Sequence, residues 1–294
     1  MKLAVVILNW NQAEDTIACV RAVQAWTILK PAIFVVDNAS AGEDIRQILA
    51  ACPGVMGVES RVNAGFAGGC NLGIIAAWDG GAEAVLLLNN DARLDEAGMA
   101  RLMDLLADHA DLGMVGPGLW HGDQLLALGG LDLARSWATH ARPHPLPTEP
   151  VDVAYVSGTA ALIHRRLTRS VGLLDEAYFF SGEMADLCRR ATDKGWRCVV
   201  DPTVKAQHDV GRSGPQRETI HTYYSLRNRF LYVRKRESTQ LIRLLMLWTV
   251  RSLITWADAL VHGDVRRARV VGLALVHGLT GRTGNGNRWL LSQL

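Results

Sequence analysis

Leu86-Leu87-Leu88-Asn89-Asn90-Asp91 is an apolar run that stops at three polar residues. Residues 84–88 have the length and unbroken apolar character of a strand covered on both faces. Two other runs share that character, residues 3–8 and 32–36. The first ends in Asn9-Trp10-Asn11 and the second in Asp37-Asn38-Ala39-Ser40. Helical spacing lies between them. Residues 13–26 set Ile17, Val20, Ala22 and Val23 along a helix, and residues 43–51 do the same with Ile45, Ile48 and Leu49. Strand, helix, strand, helix is the order of a doubly wound, mainly parallel α/β sheet. Such sheets bind ligands beyond the carboxyl ends of their strands. The three polar endings are therefore expected to meet at one crevice.

The bulk composition agrees with this class and excludes others. A chain of 294 residues with 49% hydrophobic and 20% charged side chains is globular, not disordered. The net charge of +2 lacks the basic excess of a nucleic-acid binder, so no nucleic-acid partner is expected. Cys19, Cys52, Cys70, Cys188 and Cys198 are odd in number and lack paired metal-ligand spacing, which predicts a reducing, cytoplasmic setting. Residues 3–8 follow a single Lys2 and show no small-residue cleavage site, so they read as a first strand and not a leader.

Several segments carry candidate chemistry. A carboxylate just past a strand end, such as Asp91, can hold Mg²⁺ or Mn²⁺ through oxygen. Asn and Asp also favour turns, and that reading stands beside the first. Asp37 is placed to meet a base or ribose, or to cap a turn. Asn63-Ala64-Gly65-Phe66-Ala67-Gly68-Gly69-Cys70-Asn71 is Gly-rich and leads into a helix expected from Leu72. Its backbone could approach phosphate, or it could be a tight turn before a closely packed helix. Glu183 and Asp186 lie three apart at the start of an expected helix and share a face. They suit either the helix dipole or a general base. His208 follows a strand-like stretch at 198–201 and is a candidate metal ligand. Arg212 is a candidate phosphate partner, and Arg227 sits with aromatic residues on a helix that reads either as part of the donor site or as a solvated amphipathic one.

Taken in order, these segments resemble a family-2 glycosyltransferase of the GT-A fold, nearest its rhamnosyltransferase-like branch. The resemblance runs over roughly residues 3–236. It rests on Val-Ile-Leu-Asn-Trp-Asn (6–11), Val-Val-Asp-Asn-Ala-Ser (35–40), the Gly-rich segment 63–73, Leu-Leu-Asn-Asn-Asp (87–91) and the 175–190 segment. His208 with Gly211 and Ser213, and Tyr-Tyr-Ser-Leu-Arg-Asn-Arg (223–229), complete it. It implies an inverting transfer from a nucleoside-diphosphate sugar donor to a glycan or lipid-linked acceptor. Asp37 then contacts the nucleotide, Asn63 and Gly65 line its pocket, Asp91 binds the metal, and His208 is a second metal or diphosphate ligand. Asn9, Asn11, Asn89 and Asn90 join the donor side from the strand ends, with Arg212 and Arg227.

The pattern departs from the family at one place. The family carries a Glu-Asp pair, a variable residue, then Asp-Leu-Cys, whereas this chain reads Glu183-Met184-Ala185-Asp186-Leu187-Cys188. Methionine takes no proton, so the base falls to Glu183 first and Asp186 second, or this branch uses another arrangement, or the protein is catalytically impaired, a non-catalytic nucleotide-sugar- or glycan-binding protein. A nucleotidyltransferase is a third reading, which leaves the 175–190 segment without a role. The expected organisation is a catalytic domain over residues 1–236, with a nucleotide-sugar half of about 1–118 and an acceptor half of about 119–236. A helical appendage follows over 237–294. Its stretch 240–261 is strongly apolar but broken by Arg243, Arg251 and Asp258, which argues against a spanning helix. It is read instead as an amphipathic helix, either on the inner face of the cell membrane or packed on protein, in a homodimer included.

Overall fold

The computed structural model describes residues 1–209 and 215–291. In chain order the elements are β1 (Leu3–Asn9), α1 (Ala13–Gln24), β2 (Ala32–Asp37), α2 (Asp44–Ala51), β3 (Met56–Glu59), α3 (Gly65–Asp79), β4 (Ala84–Asn89), β5 (Ala92–Arg93) and α4 (Glu96–Asp108). Then come β6 (Leu112–His121), β7 (Gln124–Ala127), β8 (Val151–Asp152), β9 (Ala160–His164), α5 (Arg165–Val171), α6 (Glu183–Thr192) and β10 (Arg197–His208). The chain continues through α7 (Pro215–Arg236), α8 (Leu241–Val261), α9 (Val265–Leu279) and α10 (Asn287–Leu291).

One sheet runs β3-β2-β1-β4-β9-β6-β10-β5, with β7 on β6 and β8 on β10. β3, β2, β1 and β4 are parallel, as are β6 and β10, while β9 runs antiparallel between β4 and β6. The expected α/β sheet, mainly parallel and followed by C-terminal helices, is the fold observed.

Both faces of the sheet are covered, which is why its central strands are apolar without alternation. Ala4, Val6, Val36 and Leu87 point to one face, against α3, in an apolar cluster that continues into α6, α7 and α8. Val5, Ile7, Val35 and Leu88 point to the other, against α1, α2 and α4.

Helix α3 begins seven residues earlier than its expected start at Leu72. The physical reason is outside capping. The amide of Ala64 donates to Asn38 Oδ1 (2.9 Å) and that of Gly65 to Asn63 Oδ1 (2.9 Å), so the first turn does not lose its orphan donors. Its glycines are required by packing. A Cβ on Gly69 would stand 2.4 Å from Leu8 Cδ1, and one on Gly73 would stand 2.3 Å from Val6 Cγ1. At these two turns the helix backbone rests directly on the β1 side chains, with none of its own between. Gly73→Ala is expected to cost about 1–3 kcal/mol in urea unfolding, the range for overpacking a filled core; unchanged stability would show that this contact yields freely.

Candidate functional site at the strand ends

The polar endings of β1, β2 and β4 do converge. Asn9 is fully buried and its Nδ2 is within reach of Asp37 Oδ1 (3.0 Å), Ser40 Oγ (3.1 Å) and Asp44 Oδ2 (3.0 Å), while its Oδ1 accepts from Thr16 Oγ1 (2.7 Å). Asp37 accepts from Ser40 Oγ at 2.5 Å and from the Ser40 amide at 3.2 Å. These contacts fix the turn after β2, where Ala39 takes a positive φ of 60°. Asn90 donates to Thr16 Oγ1 at 3.1 Å, so the endings of β1 and β4 share one partner.

A cleft of about 450 Å³ opens over this network. Of the residues expected at the site, Asn11, Asn63, Gly65, Asn89 and Asn90 line it. Gln12, Asn38, Trp10, Phe66, Phe179, Phe180 and Ile220 line it too, and Asn287 reaches it from the C-terminal region. Sequence reading did not pick out these last residues. Asn38 alone left a signal, in its place directly after Asp37.

Asp91 and His208 are brought together by the register of two short strand segments. β10 pairs antiparallel with β5, His208 opposite Ala92 and Gln207 opposite Arg93, and the Asp209 amide donates to the Asp91 carbonyl at 3.0 Å. His208 Nε2 then lies 3.2 Å from Asp91 Oδ1, with the carboxylate side chain 5% exposed. One carboxylate and one imidazole on rigid backbone would suit Mn²⁺ through both groups, or Mg²⁺ through the carboxylate, leaving oxygen positions for phosphate and water. Among the described residues no group of three or more His, Cys, Asp or Glu gathers to hold a metal ion.

The 178–182 loop is the other wall. Phe179, Ser181 and Gly182 all have positive φ (64°, 67° and 102°). Two buried residues of α7 hold this costly shape. Asn228 Nδ2 faces the carbonyls of Tyr178 (3.0 Å), Phe180 (2.8 Å) and Ser181 (2.5 Å). Arg227 donates to the Tyr178 carbonyl (2.9 Å) and the Gly284 carbonyl (2.6 Å). Arg227 is 1% exposed, so the structure corrects its expected place at the donor site: its guanidinium is held by Asn228 and by backbone carbonyls and does not line the cleft. Gly65 also serves this wall. It has φ of +73°, and a Cβ there would meet the Phe179 carbonyl at 2.2 Å. Arg212, with Gly211 and Ser213, lies outside the described residues.

Glu183 and Asp186 open α6 but differ in surroundings. Asp186 is fully buried and saturated: Oδ1 accepts from Arg236 Nε (2.6 Å) and Tyr178 Oη (3.1 Å), and Oδ2 from Arg190 Nε (2.8 Å). Glu183 is 5% exposed, and its Oε2 has no hydrogen-bond partner among the described residues. Burial, with a smaller push from the Asp186 charge, raises its pKa from 4.5 to about 7. Met184 is 3% exposed, and both Met184 and Phe66 press on Gly158. The side chain in the family's acidic position thus belongs to the core beside the cleft wall.

Comparisons with known proteins agree with this architecture. The model of a family described as glycosyl transferase family 2 matches residues 4–172. An uncharacterized protein of Mycobacterium tuberculosis is 33% identical over 137 residues, which are 46% of this chain and 49% of that protein, so the match spans about half of that relative's length. The dTDP-rhamnosyl transferase RfbF of Shigella flexneri is 22% identical over 234 residues, covering 76% of this chain and 78% of its own. The mannosyltransferase PcManGT of Pyrobaculum calidifontis, solved with GDP-Man and Mn²⁺, covers 99% of this chain and 84% of its own with a TM-score of 0.61 at 17% identity, a likeness of fold.

The two carboxylates should respond oppositely to neutralisation. Asp186→Ala strands Arg190 and Arg236 and is expected to cost about 3–5 kcal/mol. For Glu183 the folded state favours the protonated form. Its burial therefore costs nothing below pH 4.5, costs more as pH rises to about 7, and is constant above that. Glu183→Gln should accordingly stabilise the protein at pH 8, by up to about 3 kcal/mol, and change little at pH 4. Thermal unfolding at the two pH values checks both; a loss of stability at pH 8 in Glu183→Gln would refute the buried-charge account.

Proposed function

The chain belongs to glycosyl transferase family 2, and from that premise we propose that it moves a sugar from a nucleoside-diphosphate sugar to a glycan or lipid-linked acceptor, with inversion at the anomeric carbon. The observation that carries the reading is the Asp91–His208 pair, 3.2 Å apart at the ends of β4 and β10, with Asp91 directly following the cleft residue Asn90. These two residues would hold Mg²⁺ or Mn²⁺, and the ion when bound neutralises charge on the departing diphosphate.

The remaining steps belong to the chain's own residues. Asn11, Asn63, Asn89 and Asn90 offer amide donors and acceptors to nucleotide and sugar hydroxyls from fixed strand ends. Asn9 and Asp37 keep those ends in place through their shared hydrogen bonds. Trp10, Phe66, Phe179 and Phe180 give apolar faces on which rings can lie. Glu183 Oε2 takes the proton of the acceptor hydroxyl as that oxygen bonds to the anomeric carbon. The bond from that carbon to the diphosphate oxygen breaks on the opposite side, and no enzyme–sugar bond is needed. A pKa of about 7 leaves Glu183 half-ionised near neutrality, where a general base works well. Asp186 is unsuited to that work because both its oxygens are held by arginines. One rival keeps a specific observation in its favour. Met184 fills the acidic position of the family pattern, as it would in a protein that binds a nucleotide sugar without transferring it.

A panel of nucleotide sugars assayed with Mn²⁺ separates these readings. Turnover is expected with at least one donor, rising with pH through about 7. Glu183→Gln should lower kcat by about 10²–10⁴-fold and flatten that rise while donor affinity holds. Asp91→Asn should weaken metal-dependent donor binding by about 10–100-fold. Full turnover in Glu183→Gln with none in folded Asp186→Asn would reverse the assignment of the base. Donor binding without turnover in the wild type would favour the binding protein.

A further inference from the structure

Helix α8 is apolar on both of its sides. Its inner side, with Leu244, Trp248, Ser252 and Ala259, is buried on the domain. Trp248 Nε1 donates to the Ala134 carbonyl (2.7 Å), Arg251 to the Arg135 carbonyl (2.9 Å), and the Arg229 guanidinium sits 4.0 Å from the Trp248 ring. Its outer side carries Ile242, Met246, Val250, Leu253, Ile254 and Val261, which are 48% to 83% exposed. Steps of three and four residues put these on one stripe. Ser238–Val261 is also the single segment among the described residues long and apolar enough to cross a membrane, with 22% of its window buried. A helix apolar all round is one whose surroundings are not water.

Charge says what those surroundings are. Residues 241–294 contain seven arginines against two aspartates, in a chain whose net charge is only +2. Arg243 lies exposed at one end of the stripe; at the other Arg266, Arg267 and Arg269 lie exposed beside Asp258 and Asp264, with Arg267 Nη1 3.4 Å from Asp258 Oδ2, so cations still outnumber anions there. Apolar residues flanked by arginines at both ends complement acyl chains beneath a layer of phosphates. A second copy of the chain fits less well. Two such copies laid together would bring the seven arginines of each against only two aspartates of the other.

We propose that α8 lies flat on an anionic lipid bilayer and holds the cleft-bearing domain against it. The ties of its inner side to Ala134 and Arg135 leave only the outer stripe for lipid, so the helix rests on the bilayer and does not cross it. The inference is independent of the donor. An acceptor anchored in the same surface would be the one such an enzyme meets, and that last step rests on the proposed transferase function.

Flotation of the full chain with vesicles of phosphatidylcholine, alone or with a third phosphatidylglycerol, tests the proposal. The wild type should float with the anionic vesicles at low salt and stay behind with the neutral ones. The double variant Arg243→Gln/Arg269→Gln should bind roughly thirtyfold more weakly, the loss of two exposed cations that flank the stripe. Val250→Glu/Ile254→Glu should lose about tenfold or more while its circular dichroism melt matches the wild type. The inference is overturned if the wild type stays unbound at low salt, or if neither double variant changes binding. It is also overturned if alkaline carbonate fails to strip the protein from membranes. A change from dimer to monomer in Val250→Glu/Ile254→Glu with vesicle binding intact would make the stripe a self-association face instead. Donor turnover measured without lipid should be equal in wild type and Val250→Glu/Ile254→Glu. Absent turnover with normal flotation would remove the transferase reading and leave the membrane inference standing.

Discussion

A buried strand end is an electrostatic liability, because backbone and side-chain polar groups there leave the sheet without reaching water. The carboxyl end of β1 meets this constraint through Asn9, which is fully buried and joined to Asp37, Ser40, Asp44 and Thr16. An amide supplies two donors and an acceptor without the desolvation cost of a charge. The neighbouring ends are satisfied in turn through Asn90 and Thr16, and through Asn38 with Asn63. The cleft is rich in asparagine for this reason. The groups that satisfy the sheet are the same kind that can read hydroxyls, and they stand where ligands of such sheets bind.

The opposite wall depends on a second constraint. The 178–182 loop carries three positive-φ residues in a row of four, and a shape of that kind persists only when its surroundings over-determine it. Arg227 and Asn228 do so from α7, and the Arg227 bond to Gly284 ties in the segment that brings Asn287 to the cleft. Glu183 follows directly on this loop, so its burial is set by the same clamp. The C-terminal helices are thus coupled to the cleft through a few hydrogen bonds.

The strands were legible because a short, unbroken apolar run bounded by polar residues fits a strand covered on both faces, and the polar endings pointed to the right place. Asp91 and His208 were each readable as candidates. Their contact was not, since it depends on β5, a strand of two residues with no periodicity to detect. Arg227 was misjudged for a related reason. On a helix of mixed character an arginine looks like a surface cation, and only the fold shows the carbonyls and two tyrosine rings around it. The aromatic residues of the cleft were invisible for the opposite reason: Trp10, Phe66 and Phe180 look like any core residue until a cavity is found beside them. The apolar character of α8 was clear in the sequence, but which of its sides faces outward was a matter of packing.

The glycines of α3 have one more implication, which concerns what holds it in shape. Four of its fifteen residues are glycine, each weakening an isolated helix by about 1 kcal/mol relative to alanine. The polypeptide between residues 65 and 79 therefore has little reason to coil without the surface that β1 and β2 offer it. The helix owes its form to packing on the sheet more than to its own propensity. The Gly65–Phe66 edge of the cleft is accordingly held by its neighbours, Asn63 and Phe179, and not by helix propensity of its own.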